Sequence, residues 1–292
     1  DSTLIPEFLF YFLLDDDFRR EGRKSMSGAV GHKRVSKEFI ENYQIPLPPL
    51  PEQQRIVKIL DEVFEAIEKV RKNTEKNLKN SRELFESYLQ NIFTNHGNDW
   101  DEKSFREVYD VRDGTHDSPR YQKEGFALVT SKNLKNDRLN FTKVQYVSEK
   151  DYKKINERSK VDRGDILFAM IGTIGNPIVV EVEPDFAIKN VALFKIPEEQ
   201  SSYFLKYYLD SKFVIDKMMS EAKGTTQKFV GLGYLRDFKI KLPPLAEQKV
   251  IVKKLTELSE QTKKLEEIYK QKLTNLEELK KSILKKAFAG EL

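Results

Sequence analysis

Leu47-Pro48-Pro49-Leu50-Pro51-Glu52-Gln53 returns 195 residues later as Leu242-Pro243-Pro244-Leu245-Ala246-Glu247-Gln248. The match runs on without a gap: residues 45–93 align with 240–288, and 21 of those 49 positions are identical. Paired prolines stop any helix arriving from upstream and preset the first turn of the one that follows. Each block therefore predicts the start of a helix, and the repeat predicts a fold made from two copies of one unit.

Upstream the repeat is weaker but traceable. Phe8-Leu9-Phe10-Tyr11-Phe12-Leu13 resembles Phe204-Leu205-Lys206-Tyr207-Tyr208-Leu209, and residues 28–35 correspond to 224–230 after a one-residue shift. Each unit then reads as an aromatic segment, a polar loop, the Leu-Pro-Pro-Leu turn and a long helix. About 100 residues (100–199) precede the aromatic segment of the second unit and almost none precede that of the first. The expectation is that the missing portion of the first unit lies outside this sequence.

The segments after the prolines have coiled-coil spacing. In the first, Ile56, Leu60, Val63, Ile67, Val70, Thr74, Asn77, Ser81, Leu84 and Tyr88 alternate steps of four and three. In the second, Ile251, Leu255, Leu258, Thr262, Leu265, Tyr269, Leu276, Leu279 and Ile283 keep the same register. A 3.5-residue repeat over six heptads predicts left-handed supercoiling against a partner helix. Two such rods of ~60 Å, at about 1.5 Å per residue, can pair antiparallel.

Between the helices, 126–130, 165–170, 178–182 and 191–196 read as strands, and 202–217 has helical spacing. The fold class expected is α+β: a globular domain on a bent β-sheet, plus two long helices forming an antiparallel coiled coil. The boundaries read as 1–44, 45–97, 98–239 and 240–292.

Composition narrows the chemistry. Of 292 residues, 34% are charged, 39% hydrophobic and 11% aromatic, so the apolar side chains must be concentrated into cores. Cysteine is absent, which removes disulfides, thiol nucleophiles and cysteine metal sites and suits a reducing cytoplasm. His32, His96 and His116 are too widely spaced for a histidine-built metal site. The longest apolar stretch, 166–180, is broken by Gly172, Gly175, Asn176 and Pro177, and is too short to span a bilayer. Asn176-Pro177-Ile178-Val179 lacks the second proline and the aromatic of an amino-methyltransferase loop. Gly172-Thr173-Ile174-Gly175 and Gly231-Leu232-Gly233 are too sparse for nucleotide loops. Asp162 and Asp165 read as turn formers, and Asp15-Asp16-Asp17 as a solvated loop. No catalytic constellation is present. Residues 132–163 carry ten Lys/Arg against five Asp/Glu, interleaved with Asn133, Asn136, Asn140, Tyr146 and Tyr152. That mixture suits phosphate contact with base-edge hydrogen bonding, as well as an ordinary charged face.

Leu-Pro-Pro-Leu-x-Glu-Gln opening a long helix, twice, resembles the specificity subunits of type I restriction-modification systems. Residues 113–121 (Asp-Gly-Thr-His-Asp-Ser-Pro-Arg-Tyr), 130–134, 160–167, 172–176 and 224–228 (Gly-Thr-Thr-Gln-Lys) resemble one class of that family's target recognition domain. The resemblance implies a non-catalytic protein. Each recognition domain would read half of a bipartite duplex site, with a spacer set by helix length. The helices would dock modification subunits, and a restriction subunit would join them. S-adenosylmethionine, ATP and magnesium would bind those partners, and this chain no cofactor. Residues 1–44 match only the C-terminal part of a first recognition domain. A half-subunit that dimerises with a second copy of itself therefore stands as an alternative, beside a coiled-coil adaptor that never touches DNA.

The residues expected to meet DNA are Thr115, His116, Ser118, Arg120, Tyr121, Lys132, Asn133, Lys135, Arg138, Thr173, Thr225, Thr226, Gln227 and Lys228. In the first unit, Ser27, Gly28, His32, Lys33 and Arg34 occupy the corresponding loop. Arg and Lys bond guanine bidentately, Asn and Gln adenine.

Overall fold

A computed structural model describes residues 3–28, 31–95, 99–225 and 227–292. In chain order the elements begin with α1 (Pro6–Phe12), α2 (Asp16–Lys24), α3 (Lys37–Asn42) and α4 (Leu50–Thr94). There follow β1 (Asp101–Ser104), α5 (Phe105–Val108), β2 (Asp110–Asp113), β3 (Phe126–Val129), β4 (Leu134–Lys135), β5 (Arg138–Leu139) and β6 (Gln145–Val147). Next come α6 (Glu149–Ser159), β7 (Ile166–Ala169), β8 (Gly175–Val179), β9 (Phe186–Ile188) and β10 (Val191–Lys195). The chain closes with α7 (Ser202–Asp210), α8 (Lys212–Glu221), α9 (Leu232–Asp237), β11 (Lys239–Leu242) and α10 (Leu245–Ala289). Two compact units result: Asp1–Arg82 with Thr262–Leu292, and Glu83–Gln261.

The repeated turn works the same way in both units. Pro49 O accepts from the amides of Glu52 and Gln53 at 2.9 and 3.1 Å, and Pro244 O from those of Glu247 and Gln248 at 2.9 and 3.0 Å. Both glutamines are buried. Gln53 Nε2 donates to Pro48 O (2.8 Å) and Thr3 O (2.9 Å), while its Oε1 accepts from Ile5 N (2.9 Å). Gln248 Nε2 donates to Pro243 O (2.9 Å) and Gln200 Oε1 (2.9 Å), while its Oε1 accepts from Ser201 N (3.0 Å). One side chain thus ties the helix start to the chain entering the aromatic helix, satisfying groups that burial would otherwise leave unpaired.

The aromatic helices dock alike. In the first unit Phe8 and Phe12 of α1 meet Phe288 of α10 edge-on, with centroids 5.3 and 5.2 Å apart. In the second unit Phe204 and Tyr208 of α7 meet Phe93 of α4 edge-on, at 5.3 and 5.2 Å. Each unit therefore contains the start of one long helix and the end of the other. Within the first unit Arg55 donates to Leu292 O (2.7 Å), Lys280 sits over the Phe64 ring and Arg82 pairs with Glu266 (2.8 Å), so α4 and α10 run antiparallel there. Ile56 and Leu60 share a core with Leu284 and Ala287. In the second unit Leu89 and Phe93 share one with Leu255.

The buried stripe departs from the expected seam. Ile56, Leu60 and Ile67 are buried and Val63 is half-buried. Beyond Ile67 the inward positions are Arg71, Thr74, Leu78, Ser81, Phe85 and Leu89. Val70, Leu84 and Tyr88 are 37%, 64% and 38% exposed, and Asn77 is exposed too. In α10, Leu255 is buried and Ile251, Leu258, Thr262, Tyr269, Leu276 and Ile283 are half-buried, whereas Leu265 and Leu279 are exposed at 42% and 47%. A stripe that follows the roughly 3.6-residue period of a straight helix slips by about one position against a 3.5-residue repeat over ten turns. That slip moves the seam from 70 to 71 and from 84 to 85.

In the second unit the strands form several small sheets rather than one continuous one. The four-stranded sheet has the order β2-β10-β7-β8 and a three-stranded sheet the order β6-β3-β9, with β1-β11 and β4-β5 as two-stranded pairs. Side chains alternate across a strand. Ile166 and Phe168 of β7 and Ala192 and Phe194 of β10 therefore face a core shared with α5, α7 and α9. Leu167, Ala169, Val191 and Leu193 face a second core with Val129, Phe186 and Ile188 of the smaller sheet. The far face of that smaller sheet, with Leu128, Val147 and Ala187, packs on Tyr152 and Ile155 of α6. The predicted helix over 202–217 is two helices parted at Ser211.

The acidic pairs have local duties. Asp15 caps α2, its Oδ1 accepting from the amides of Asp17 (2.8 Å) and Phe18 (3.2 Å). It is a helix cap with Asp16 and Asp17 in the first turn, not a solvated loop. Asp165 accepts from Asp162 N (2.7 Å) and pairs with Lys195, which also meets Asp162 at 2.6 Å.

Candidate nucleic-acid interface

The site is built where β2 and β9 end. Past Asp113 the chain arches through 114–121, and past Ile188 it crosses to the four-stranded sheet through Lys189 and Asn190. Gly114 N donates to Val191 O (3.0 Å), Thr115 N to Ile188 O (3.0 Å) and Asn190 N to Thr115 O (3.2 Å). The approach at Gly114 is so close that a Cβ there would stand 2.4 Å from Ile188 O. Asn190 takes a left-handed φ of 56°, a conformation asparagine tolerates.

Side chains lock the arch. His116 Nδ1 lies 2.8 Å from Asn190 Oδ1, and its Nε2 lies 2.8 Å from Asp113 Oδ2. Two acceptors on one imidazole favour the doubly protonated ring, so hydrogen bonding to Asn190 and then to Asp113 raises the His116 pKa above its ordinary value. Asp113 is buried and also pairs with Arg158 of α6. Lys189, likewise buried, donates from Nζ to Ser118 Oγ at 2.8 Å.

Other loops converge on the same end. Tyr121, Thr130, Ser131, Lys132, Asn133, Lys143, Gln145, Ile171, Asn190 and Gln227 line one concavity, although they span more than a hundred positions of the chain. Lys132, Asn133 and Lys143 also border a neighbouring hollow with Lys135, Asn140 and Thr142. Gln227 arrives on a hairpin in which Lys223 and Phe229 exchange both backbone hydrogen bonds (3.0 and 2.9 Å). That hairpin is laced to the loop after β7: Gly172 N donates to Lys228 O at 2.8 Å and Val230 N to Met170 O at 3.0 Å.

The structure sorts the expected DNA contacts. Arg120, Tyr121, Lys132, Lys135, Arg138, Thr173, Thr225, Gln227 and Lys228 are exposed. Lys135 and Arg138 stand opposite each other across the β4–β5 hairpin, whose turn residues Asn136 and Asp137 have φ of 54° and 60°. Thr226 lies outside the described residues. Asn133 is corrected: it is 4% exposed, its Oδ1 accepts from Thr130 N (2.9 Å) and its Nδ2 donates to Asn140 O (2.9 Å). A buried amide so committed shapes the loop that carries Lys132 and has no free edge for a base. Thr115 is half-buried, and its Oγ1 accepts from Asp117 N (3.1 Å), a turn-forming bond. Ser27, Gly28, His32, Lys33 and Arg34 belong to the first unit, where Ser27 and Arg34 exchange backbone hydrogen bonds (3.2 and 3.1 Å) and His32, Lys33 and Arg34 are exposed. Lys189, Asn190 and Gln145 were not among the residues read from sequence. The one local signal was the Lys-Asn break between the apolar runs 186–188 and 191–194.

Among the described residues no cluster of three or more His, Cys, Asp or Glu could hold a metal ion, and no helix is long and apolar enough to cross a membrane.

The fold is one of repeated helix starts carrying a loop-built polar surface. Residues 1–77 and 97–275 match the family described as type I restriction modification DNA specificity domain, and the chain belongs to that family. Its role there is recognition, not catalysis. The chain is 28% identical to the type I restriction enzyme MjaVIII specificity subunit of Methanocaldococcus jannaschii, across 98% of this chain and 70% of that protein. It is 22% identical to the EcoBI specificity subunit of Escherichia coli, across 91% of this chain and 62% of that one, and so spans less than two thirds of that relative. Among solved structures, a chain from work on complex assembly and conformational transition of the type I R-M system superposes with a TM-score of 0.82 at 26% identity, covering 100% of this chain and 73% of that one. The HsdS subunit of Thermoanaerobacter tengcongensis gives 0.65 at 25% identity, covering 100% and 72%.

Proposed function

We propose that the chain reads duplex DNA through the loop cluster of its second unit, as the sequence-selecting subunit of a type I restriction-modification complex. The carrying observation is the convergence of loops from 121, 130–133, 143–145, 171, 190 and 227 on one concave surface. Exposed Lys132 and Lys143 there suit phosphates, and Gln145 and Gln227 suit base edges. Membership of a DNA specificity family supports the same reading.

In this reading the second unit selects one half of a bipartite site, and the hairpin bearing His32, Lys33 and Arg34 belongs to the machinery for the other. The α4 and α10 helices dock modification subunits, and their length sets the spacer. S-adenosylmethionine, ATP and magnesium belong to those partners and to a restriction subunit. The place of work is the cytoplasm.

The test is co-expression with the modification subunits, duplex binding, and mapping of methylated adenines. A bipartite site, or one half-site repeated as a palindrome, is expected. Alanine at Arg120 or Lys132 should weaken or relax one half-site. Removal of one heptad from both helices should shorten the spacer or abolish binding. A chain that neither joins the modification subunits nor binds duplex would overturn the reading.

A further inference from the structure

Lys195, Lys206 and Lys189 of the second unit are largely withdrawn from water, and they are paired differently. Lys195 pairs with Asp162 and Asp165. Lys206, 8% exposed, pairs with Asp137 at 3.0 Å and Asp210 at 3.5 Å. Lys189, also 8% exposed, has no carboxylate within ion-pair distance among the described residues, and its side chain meets the hydroxyl of Ser118 at 2.8 Å. A buried ammonium is tolerated when an anion neutralises it.

Ser118 Oγ accepts from Lys189 Nζ, so its own proton points elsewhere. Ser118 is exposed and borders a depression with Thr115, His116, Lys154 and Arg158; Asp117 and Asp151 edge the same depression. A hydroxyl polarised from behind by an ammonium is a strong donor towards an anion in front.

We infer that Ser118 and Lys189 together hold one phosphodiester group of duplex DNA, Ser118 donating directly and Lys189 supplying the charge. The inference rests on the proposed function and refines it. The arch of 114–121 is seated on the sugar-phosphate backbone at this point, and Lys189 sets position on the duplex without selecting bases.

The test uses the full chain with its modification subunits and titrates duplex binding against salt. For Lys189→Met the expected result is roughly ten-fold weaker binding and a log–log salt slope shallower by about 0.9, the share of one phosphate. Lys189→Arg should keep the slope, and the methylated sequence should stay the same in both. Ser118→Asp gives Lys189 an internal counter-charge and should raise the Tm of the chain while weakening duplex binding. An unchanged slope in folded Lys189→Met overturns the inference. If that variant does not fold, Ser118→Asp decides: its carboxylate neutralises Lys189, so an unchanged slope in folded Ser118→Asp overturns the inference equally. Inorganic phosphate raising the wild-type Tm but not that of Ser118→Asp, with the duplex slope unaltered in Lys189→Met, would mark a small-anion site and refute the DNA assignment. Absence of duplex binding by the wild-type complex would fall on the proposed function itself.

Discussion

His116 and Asn190, 74 positions apart, meet with Nδ1 and Oδ1 at 2.8 Å, closing the neck of the arch that carries Ser118, Arg120 and Tyr121. The ring's other nitrogen, Nε2, meets Asp113, whose second oxygen is held by Arg158. The folded-state pKa of His116 is raised, by the Asn190 contact first and the Asp113 contact second. Its contribution to stability is therefore complete below the ordinary imidazole value of about 6.5 and is lost as pH rises through the raised folded value. The Tm gap between wild type and His116→Asn should be largest near pH 5.5 and shrink towards pH 8.5. A gap that does not change with pH would rule out the charged-ring clamp.

The buried glutamines should be among the costliest polar positions to change. Gln248→Leu leaves Ser201 N and Pro243 O without their partner, and Gln53→Leu does the same to Ile5 N and Pro48 O. Each should cost about 1–3 kcal/mol in urea denaturation, the usual penalty for stranded buried groups. The two lesions share no partner and should add.

Glycine is required at the hairpin of each unit. Gly224 has φ of 93° and a Cβ there would meet Gln227 O at 2.3 Å; Gly28 has φ of 125° and a Cβ would meet His32 O at 2.8 Å. Gly224→Ala should cost on the order of 1–3 kcal/mol and, by shifting Gln227 and Lys228, weaken duplex binding. Gly233→Ala, where a Cβ meets nothing within 4 Å, is the control and should stay within about 0.5 kcal/mol. Equal losses in both would refute the steric account.

Paired leucines can distinguish the 3.6-residue stripe from a heptad seam. Leu60 and Leu255 are 0% exposed, Leu84 and Leu279 64% and 47%. Leu60→Ala and Leu255→Ala should each cost about 2–5 kcal/mol. Leu84→Ala and Leu279→Ala should change stability by roughly 0.5 kcal/mol or less. Similar losses at all four positions would restore the heptad seam.

Much of the fold was legible in the chain, and for local reasons. Proline removes a donor and fixes φ wherever it stands, so Pro48-Pro49 and Pro243-Pro244 announce helix starts without help from the rest of the molecule. The 195-residue repeat carries the same information twice, down to Tyr11 donating to Asp61 and Tyr207 meeting Thr256. The strands β3, β7 and β10 followed from short apolar runs. The seam was misread at Val70, Asn77, Leu84, Tyr88, Leu265 and Leu279 because periods of 3.5 and 3.6 residues diverge slowly, and Val70 and Leu84 are apolar whichever side they face. Asn133 was misread because an amide suits a base edge and a loop carbonyl equally well.

What residue order settled, then, is the two-copy plan, the two long helices and the family, since each rests on side chains acting on their own stretch of backbone. What needed the folded chain is the recognition surface. Lys189 and Asn190 become partners of Ser118 and His116 because β9 hands the chain to β10 beside the end of β2. Contacts across some seventy positions depend on sheet order and strand register, which no local spacing encodes.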